Sequence, residues 1–284
     1  MKSIKAVGVV GAGSMGQGIA QSCAMAGYEV LLCDVKSEII EKGIQTIGKN
    51  LDQAIAKGKY TTEKKAIALE KIKSSSPENL KADLIIEAVI EKLELKQRIF
   101  ADLEKINDLD SVFATNTSSL SVSKIAAELK YPQRFVGLHF FNPAHLMKLV
   151  EVVAGEKTDE KLMRAMISFV KSLDKTPVAV KDSPGFIVNR VARHYYLESL
   201  KLLEENTADI GTIDALTKSA GFKLGPFELM DLIGNDVNLE VSRQMYEAFE
   251  KVKRFKPSPI QEEKVRLGNL GKKTGKGYYD YEKK

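Results

Sequence analysis

Three histidines occur in the 284 residues: His139, His145 and His194. His139 closes an apolar run in Leu138-His139-Phe140-Phe141-Asn142-Pro143, His145 falls in the loop after it, and His194 lies in a stretch with helical spacing. An imidazole at a strand end suits proton exchange near neutral pH, the task of the general acid/base when an alcohol and a ketone interconvert. Glu151 sits in the next apolar run, between Val150 and Val152. A carboxylate among core valines needs a partner, because burying it alone is costly. His139 is a plausible partner, and a His–Glu pair would fix the ring tautomer. Strand alternation also permits the plainer arrangement in which Glu151 faces solvent. Asn116 and Ser118, in Asn116-Thr117-Ser118-Ser119, can hydrogen-bond a nicotinamide carboxamide or a substrate oxygen, and serve equally well as a turn and helix cap. Asn189 begins a helical segment, as a group facing a substrate cleft or as an exposed helical asparagine.

Such a site needs an electron carrier, and the N-terminal stretch Lys5 to Asp34 supplies a place for one. A run of valines meets Gly11-Ala12-Gly13-Ser14-Met15-Gly16, an amphipathic segment follows, and a second apolar run ends on Asp34. This is the strand, glycine turn, helix, strand, acid order of a dinucleotide-binding unit. Gly11 permits the tight turn, Gly13 lets a pyrophosphate approach the backbone, and Gly16 lets the helix pack on the strand. The helix start offers N–H groups and a positive dipole end to phosphates. Asp34 would accept from a ribose 2′-OH, which favours NAD(H); Lys36, two residues on, leaves NADP(H) open. A glycine turn that binds nothing is the bland alternative.

The elements that would carry these residues alternate. Strands are expected at Asp83 to Ala88, Val112 to Thr115, Phe135 to His139, Lys148 to Ala154 and Thr176 to Val180, with helices at Lys92 to Ile106 and Asp159 to Ser172. That pattern predicts an α/β Rossmann-type, doubly wound, mostly parallel sheet, whose carboxyl edge would gather Gly13, Asp34, Asn116 and His139. A helical hairpin over 37–70 is broken at Gly58-Lys59. After Lys181-Asp182-Ser183-Pro184-Gly185-Phe186 strand signals vanish, with Pro184 suited to a first helical turn. The expected domains are 1–184, binding the dinucleotide, and 185–284, all-helical and serving substrate binding and dimerisation.

Composition sets bounds. With 44% hydrophobic and 29% charged residues the chain is ordinary globular protein, and its net charge of +5 is too small and too mixed with acids to suggest nucleic acid. No apolar run is long enough to span a bilayer, and MKSIKAVGVV runs straight into the first strand, so the expectation is a cytoplasmic protein with no membrane partner. Cys23 and Cys33 form neither a disulfide framework nor a metal motif, so no metal is implied.

Taken together, GAGSMGQGIA, NTSSL (116–120), GLHFFNPAHLMKLVEVV (137–153), DSPGFIVNR (182–190), LGPFELMDLIGND (224–236) and GNLGKKTGKGYYDY (268–281) resemble the L-3-hydroxyacyl-CoA dehydrogenases over essentially the whole chain. The compact length is most similar to the bacterial 3-hydroxybutyryl-CoA dehydrogenases of butyrate and butanol fermentation. The resemblance implies that His139 is the general acid/base oriented by Glu151, and that Ser118 and Asn189 hydrogen-bond the reacting oxygen or the thioester carbonyl. It places Gly11, Gly13, Ser14, Met15, Gly16, Asp34, Glu91, Lys96, Asn116, Ser118 and Asn142 around NAD, and Asn50 and Lys57 of the hairpin on CoA. It implies acetoacetyl-CoA and 3-hydroxybutyryl-CoA as ligands and a homodimer, or a higher homo-oligomer, through the helical domain. Two other functions fit the same architecture: a dehydrogenase of a non-CoA hydroxy acid or sugar acid, and a non-catalytic NAD-binding homologue.

Overall fold

The structure, a computed structural model, describes residues 3–281 and divides into two compact units, Met1–Ser183 and Pro184–Lys284. In the first unit the chain runs β1 (Ala6–Val10), α1 (Ser14–Met25), β2 (Glu29–Cys33), α2 (Ser37–Ala56), α3 (Thr62–Glu70), β3 (Ile72–Ser75), β4 (Leu84–Glu87), α4 (Leu93–Ile106) and β5 (Val112–Thr115). It continues through α5 (Val122–Ile125), β6 (Phe135–Phe140), β7 (Leu149–Ala154), α6 (Glu160–Ser172) and β8 (Thr176–Lys181). The strands form one eight-stranded sheet in the order β3-β2-β1-β4-β5-β6-β7-β8. β4, β5 and β6 are buried along their whole length, as expected for parallel strands covered on both faces. The order turns back between β1 and β4, so the carboxyl ends of those strands flank a crevice where open α/β sheets bind ligands.

One pairing departs from the parallel rule. β7 runs antiparallel to β6, and β8 is parallel to β7. The reversal brings the start of β7 to the edge where β6 ends. β3 and α5 were not anticipated from sequence. β3 is a short edge strand in which only Ile72 is fully buried, so no apolar alternation betrays it.

The helical hairpin consists of α2 and α3. Ile40, Ile47 and Leu51 form the buried stripe of α2. Gly58 turns the chain at φ 69°, and the Thr61 side chain caps α3 by accepting the Lys64 N–H.

The second unit contains α7 (Val188–Glu204), α8 (Ile210–Ser219), α9 (Pro226–Ile233), α10 (Asn235–Ala248) and α11 (Pro259–Arg266). Its core gathers Tyr196, Leu200, Ile213, Phe227, Met230 and Tyr278. The expected first turn at Pro184 is corrected: Gly185 and Phe186 take φ of 70° and 51°, outside helical space, and α7 starts at Val188. α11 also went unforeseen, because its sequence is polar and Gln261 is its buried residue. Two buried carboxylates organise this unit. Asp214 accepts the N–H groups of Phe227 and Glu228 at 2.9 and 3.0 Å, satisfying the first turn of α9. Asp231 accepts from the backbone of Tyr278 and Tyr279, from the Tyr281 hydroxyl and from the Asn235 amide, all within 3.0 Å. Among the described residues no helix is long and apolar enough to cross a membrane.

Candidate active site

The carboxyl edge of the sheet brings His139 and Glu151 together. They are direct cross-strand partners on β6 and β7, so their side chains project from the same face. His139 Nδ1 and Glu151 Oε2 lie 2.7 Å apart, with both residues buried. The solvent-facing alternative for Glu151 is thereby excluded. A carboxylate accepts only, so Nδ1 carries the hydrogen and proton exchange with a ligand falls to Nε2. The ring also packs against Phe141, centroid to centroid 4.4 Å. The other two histidines are placed differently. His145 is half-buried, and burial together with the Lys175 ammonium holds it below the ordinary imidazole value. His194 is exposed on α7 and lies against Phe255.

Next to β6, the end of β5 passes into the loop Asn116–Leu120. Asn116 donates its N–H to the Glu87 carbonyl, and its side-chain oxygen accepts the Phe140 N–H at 2.8 Å. Asn116 therefore ties the ends of three strands together, a task the sequence did not disclose. Ser118 is held by Glu91, whose Oε1 accepts the Ser118 N–H at 2.9 Å and its hydroxyl at 3.3 Å. The same oxygen accepts from the Thr117 hydroxyl at 2.6 Å and from the N–H and hydroxyl of Ser119 at 3.2 and 3.1 Å. Burial raises the proton affinity of Glu91, but the Lys96 ammonium and these hydrogen bonds outweigh it and hold the carboxyl below its ordinary value. Beneath Glu91 lies Lys96, whose Nζ is 3.2 Å from Glu91 Oε2 and 2.6 Å from Glu87 Oε1. Glu87 also accepts from the Thr115 hydroxyl at 2.7 Å and from the Val89 N–H at 2.7 Å. Glu87, Thr115 and Thr117 are site-supporting residues that sequence reasoning missed. The one available signal was an acid ending the apolar strand Leu84–Glu87.

The glycine turn shows what it is shaped for. A Cβ on Gly16 would lie 1.7 Å from the Gly11 carbonyl oxygen, and one on Gly11, at φ +98°, would lie 2.7 Å from the Ala88 carbonyl oxygen. Those two glycines are required by the protein's own packing. A Cβ on Gly13 would meet nothing within 4 Å, so the space beside it is left for something other than protein. No side chain caps the start of α1 and no acid occupies its first turn, which leaves its positive end suited to a phosphate. Ser14 is exposed and Met15 half-buried at that start. Asp34 stands at the end of β2, where its two carboxylate oxygens accept the Ala12 and Val35 N–H groups at 2.7 and 2.8 Å. Beside it opens a cavity of about 380 Å³, walled by Gly11, Val35, Leu80, Val89 and Ile99 and edged by Glu78. An apolar slot beside a carboxylate fits an adenosine, and open space at a helix start fits a pyrophosphate, so the residues present fit a dinucleotide.

Of the remaining residues singled out from sequence, Asn142 is exposed in the loop three positions past His139. Asn50 and Lys57 are seven residues apart on α2 and at its C-cap, hence on one face. Lys57 is exposed, whereas Asn50 donates to Gln21 Oε1 at 3.4 Å. Asn189 belongs to the second unit, where it is half-buried in the first turn of α7.

Comparison with known proteins agrees with this geometry. The sequence profile of the 3-hydroxyacyl-CoA dehydrogenase NAD binding domain matches residues 6–183, and that of the 3-hydroxyacyl-CoA dehydrogenase C-terminal domain matches residues 185–281. The chain is 44% identical to 3-hydroxyadipyl-CoA dehydrogenase of Escherichia coli over 99% of its own length, though it spans only 60% of that relative. It is 39% identical to 3-hydroxybutyryl-CoA dehydrogenase of Bradyrhizobium diazoefficiens, covering 98% of this chain and 96% of the other. The crystal structure of (S)-3-hydroxybutyryl-CoA dehydrogenase from Ralstonia eutropha superposes with a TM-score of 0.94 at 40% identity, over 98% of this chain and 99% of that one.

Proposed function

This chain belongs to the 3-hydroxyacyl-CoA dehydrogenase family of NAD(H)-dependent oxidoreductases, and from that premise we propose that it interconverts acetoacetyl-CoA and (S)-3-hydroxybutyryl-CoA. The observation that carries the reading is the buried His139–Glu151 pair at the carboxyl edge of the sheet. NADH, when bound, supplies the two-electron reduction. The protein's part is to place and protonate the ketone. In the reducing direction the His139 imidazolium gives its Nε2 proton to the C3 oxygen. Glu151 holds the ring in the orientation that presents Nε2 and compensates its positive charge. Ser118 and Asn189 are assigned hydrogen bonds to the reacting oxygen or the thioester carbonyl, which lower the cost of charge developing there; for this the Ser118 hydroxyl turns from Glu91, to which it donates at 3.3 Å, while its N–H stays there. Gly11, Gly13, Ser14, Met15 and Gly16 hold the pyrophosphate, and Asp34 holds the adenosine ribose with a preference for NAD(H). Asn116 is assigned a place beside the nicotinamide, and Glu91, Lys96, Ser118 and Asn142 places near the cofactor. Asn50 and Lys57 receive the CoA moiety.

The short acyl chain is favoured by the relatives named for 3-hydroxybutyryl-CoA that this chain matches end to end. A specific observation also favours a second reading, a dicarboxylic acyl-CoA, because the Escherichia coli relative named for 3-hydroxyadipyl-CoA is 44% identical. Steady-state oxidation of NADH with acetoacetyl-CoA, 3-oxoadipyl-CoA and free acetoacetate separates these. The proposal requires the highest kcat/KM on acetoacetyl-CoA; equal rates on free acetoacetate would remove CoA from the reading.

A cytoplasmic homodimer completes the proposal. Val191, Leu216, Phe222 and Leu232 of the second unit are each more than half exposed, an apolar surface of the kind partners cover. Light scattering at micromolar concentration should return twice the 31.4 kDa chain mass; a monomer refutes it.

A further inference from the structure

A second hollow, of about 280 Å³, opens in the first unit. One wall is α1, at Gln21 and Met25, and another is the turn into α3, at Tyr60 and Lys64. The third is formed by His145 and Lys148 of the connection between β6 and β7, with Asp174 and Lys175 just ahead of β8. The charges around it do not balance. Lys64, Lys148 and Lys175 bring three ammonium groups, and Asp174 brings one carboxylate. That carboxylate is already engaged by Lys148, whose Nζ also donates to the Asp174 carbonyl at 2.9 Å. Lys175 is 8% exposed and donates to the carbonyls of Ala144 and Met147 at 2.6 and 2.8 Å. These are neutral acceptors, so its charge is not compensated, and an ammonium has a third N–H to give. Lys64 lies 5.4 Å from the centre of the Tyr60 ring and pairs with no carboxylate among the described residues. Burial and then the Lys148 ammonium hold Lys175 below the ordinary lysine value; burial and then Lys175 do the same to His145. Each positive charge here makes the next more costly, and an anion in the hollow would relieve them together.

We propose that this hollow binds a phosphate group carried on a small organic molecule, held between Lys64, Lys175 and His145. A phosphate monoester offers close to two negative charges and three strong acceptor oxygens, which matches donors arriving from separate walls. Met25, Leu146 and the Tyr60 ring supply apolar surface for the organic part. Two sources share this chemistry. One is the acyl-CoA itself, a source that rests on the proposed CoA thioester substrate. Gln21 in the wall accepts from Asn50 at 3.4 Å, so the hollow continues the hairpin face assigned to CoA. The other is a separate phosphate monoester, which would act on the connection between the strands of His139 and Glu151.

Lys175 supports the loop it bonds to, so the test uses Lys64, which is exposed. NADH is kept saturating, so that the glycine turn is filled. If the phosphate is that of the acyl-CoA, Lys64→Met should raise KM for acetoacetyl-CoA about tenfold more than KM for acetoacetyl-pantetheine, which carries no phosphate. That is the scale of one hydrogen bond to a charged group. If the phosphate belongs to a separate molecule, the two KM values should move together. Inorganic phosphate, at matched ionic strength, should then raise the melting temperature of wild type more than that of Lys64→Met. Equal KM shifts combined with an equal phosphate effect on melting would overturn the proposal. Failure of wild type to oxidise NADH with either thioester would sink the acyl-CoA reading instead, and the melting experiment would still decide whether the hollow holds phosphate.

Discussion

Glu151 faces His139 squarely across the single antiparallel pairing among the described strands, with Oε2 2.7 Å from Nδ1. The relationship depends on register. Side chains alternate along a strand, so a slip of one residue would send the carboxylate to the opposite face of the sheet.

His139→Ala is expected to cost about 10²–10⁴-fold in kcat with NADH binding retained, the range over which positioned proton transfer contributes. Glu151→Gln keeps the shape but lets the ring adopt either tautomer. It should lower kcat and displace the kcat–pH profile. Steady-state rates across pH check both; near-normal turnover in the first variant would remove His139 from its role.

The glycine turn offers a contrast between two substitutions of the same size. Gly16→Ala places a methyl 1.7 Å from the Gly11 oxygen, so α1 must shift and both melting temperature and NADH affinity should fall. Gly13→Ala meets open space in the protein; its melting temperature should hold while NADH affinity drops. Calorimetry paired with fluorescence titration resolves the two, and equal melting losses would contradict the assignment of that space to a ligand.

Carboxylates border the cavity proposed to take the adenosine. Asp34 and Glu78 border the cavity and set up a negative field there; burial first, and after it these two carboxylates, push the Cys33 thiol up to about 12. A 2′-phosphate would enter against that field. Asp34→Asn together with Glu78→Gln should lower the ratio of kcat/KM for NADH over NADPH by about tenfold, equivalent to ~1.4 kcal/mol. An unchanged ratio would show that these charges do not select the cofactor.

Glu91 gives a signed dependence on pH. Its carboxyl is held below the ordinary value despite the opposing effect of burial. Its contribution to stability is therefore fully present above the unfolded value, near 4.5, and is lost as pH falls through the lower folded value. Urea unfolding of wild type and Glu91→Gln should show a stability gap at neutral pH that closes on acidification below about pH 4.5. A gap that widens there would reverse the assignment.

Much of the site was legible because its signals are local. The glycine turn, the acid after β2 and the histidine after an apolar run each announce themselves within a few residues. The cross-strand pairing was legible only as a chemical need, since a carboxylate among valines requires a partner. Strand direction was less accessible, though the short connection 141–148 leaves no room for a helical crossover between parallel strands. Glu87, Thr115 and Thr117 were overlooked because their work is done between strands far apart in sequence. β3 and α11 escaped for the opposite reason: each buries so little that hydrophobic periodicity is absent.

The latch at Asp231 has a practical corollary. That carboxylate is 1% exposed and is solvated by the peptide groups and phenol of residues 278–281 in place of water. Clipping the chain just ahead of Tyr278 would remove those three donors and leave the carboxylate with the Asn235 amide and whatever water enters, so a truncation at that point should lower the melting temperature of the second unit.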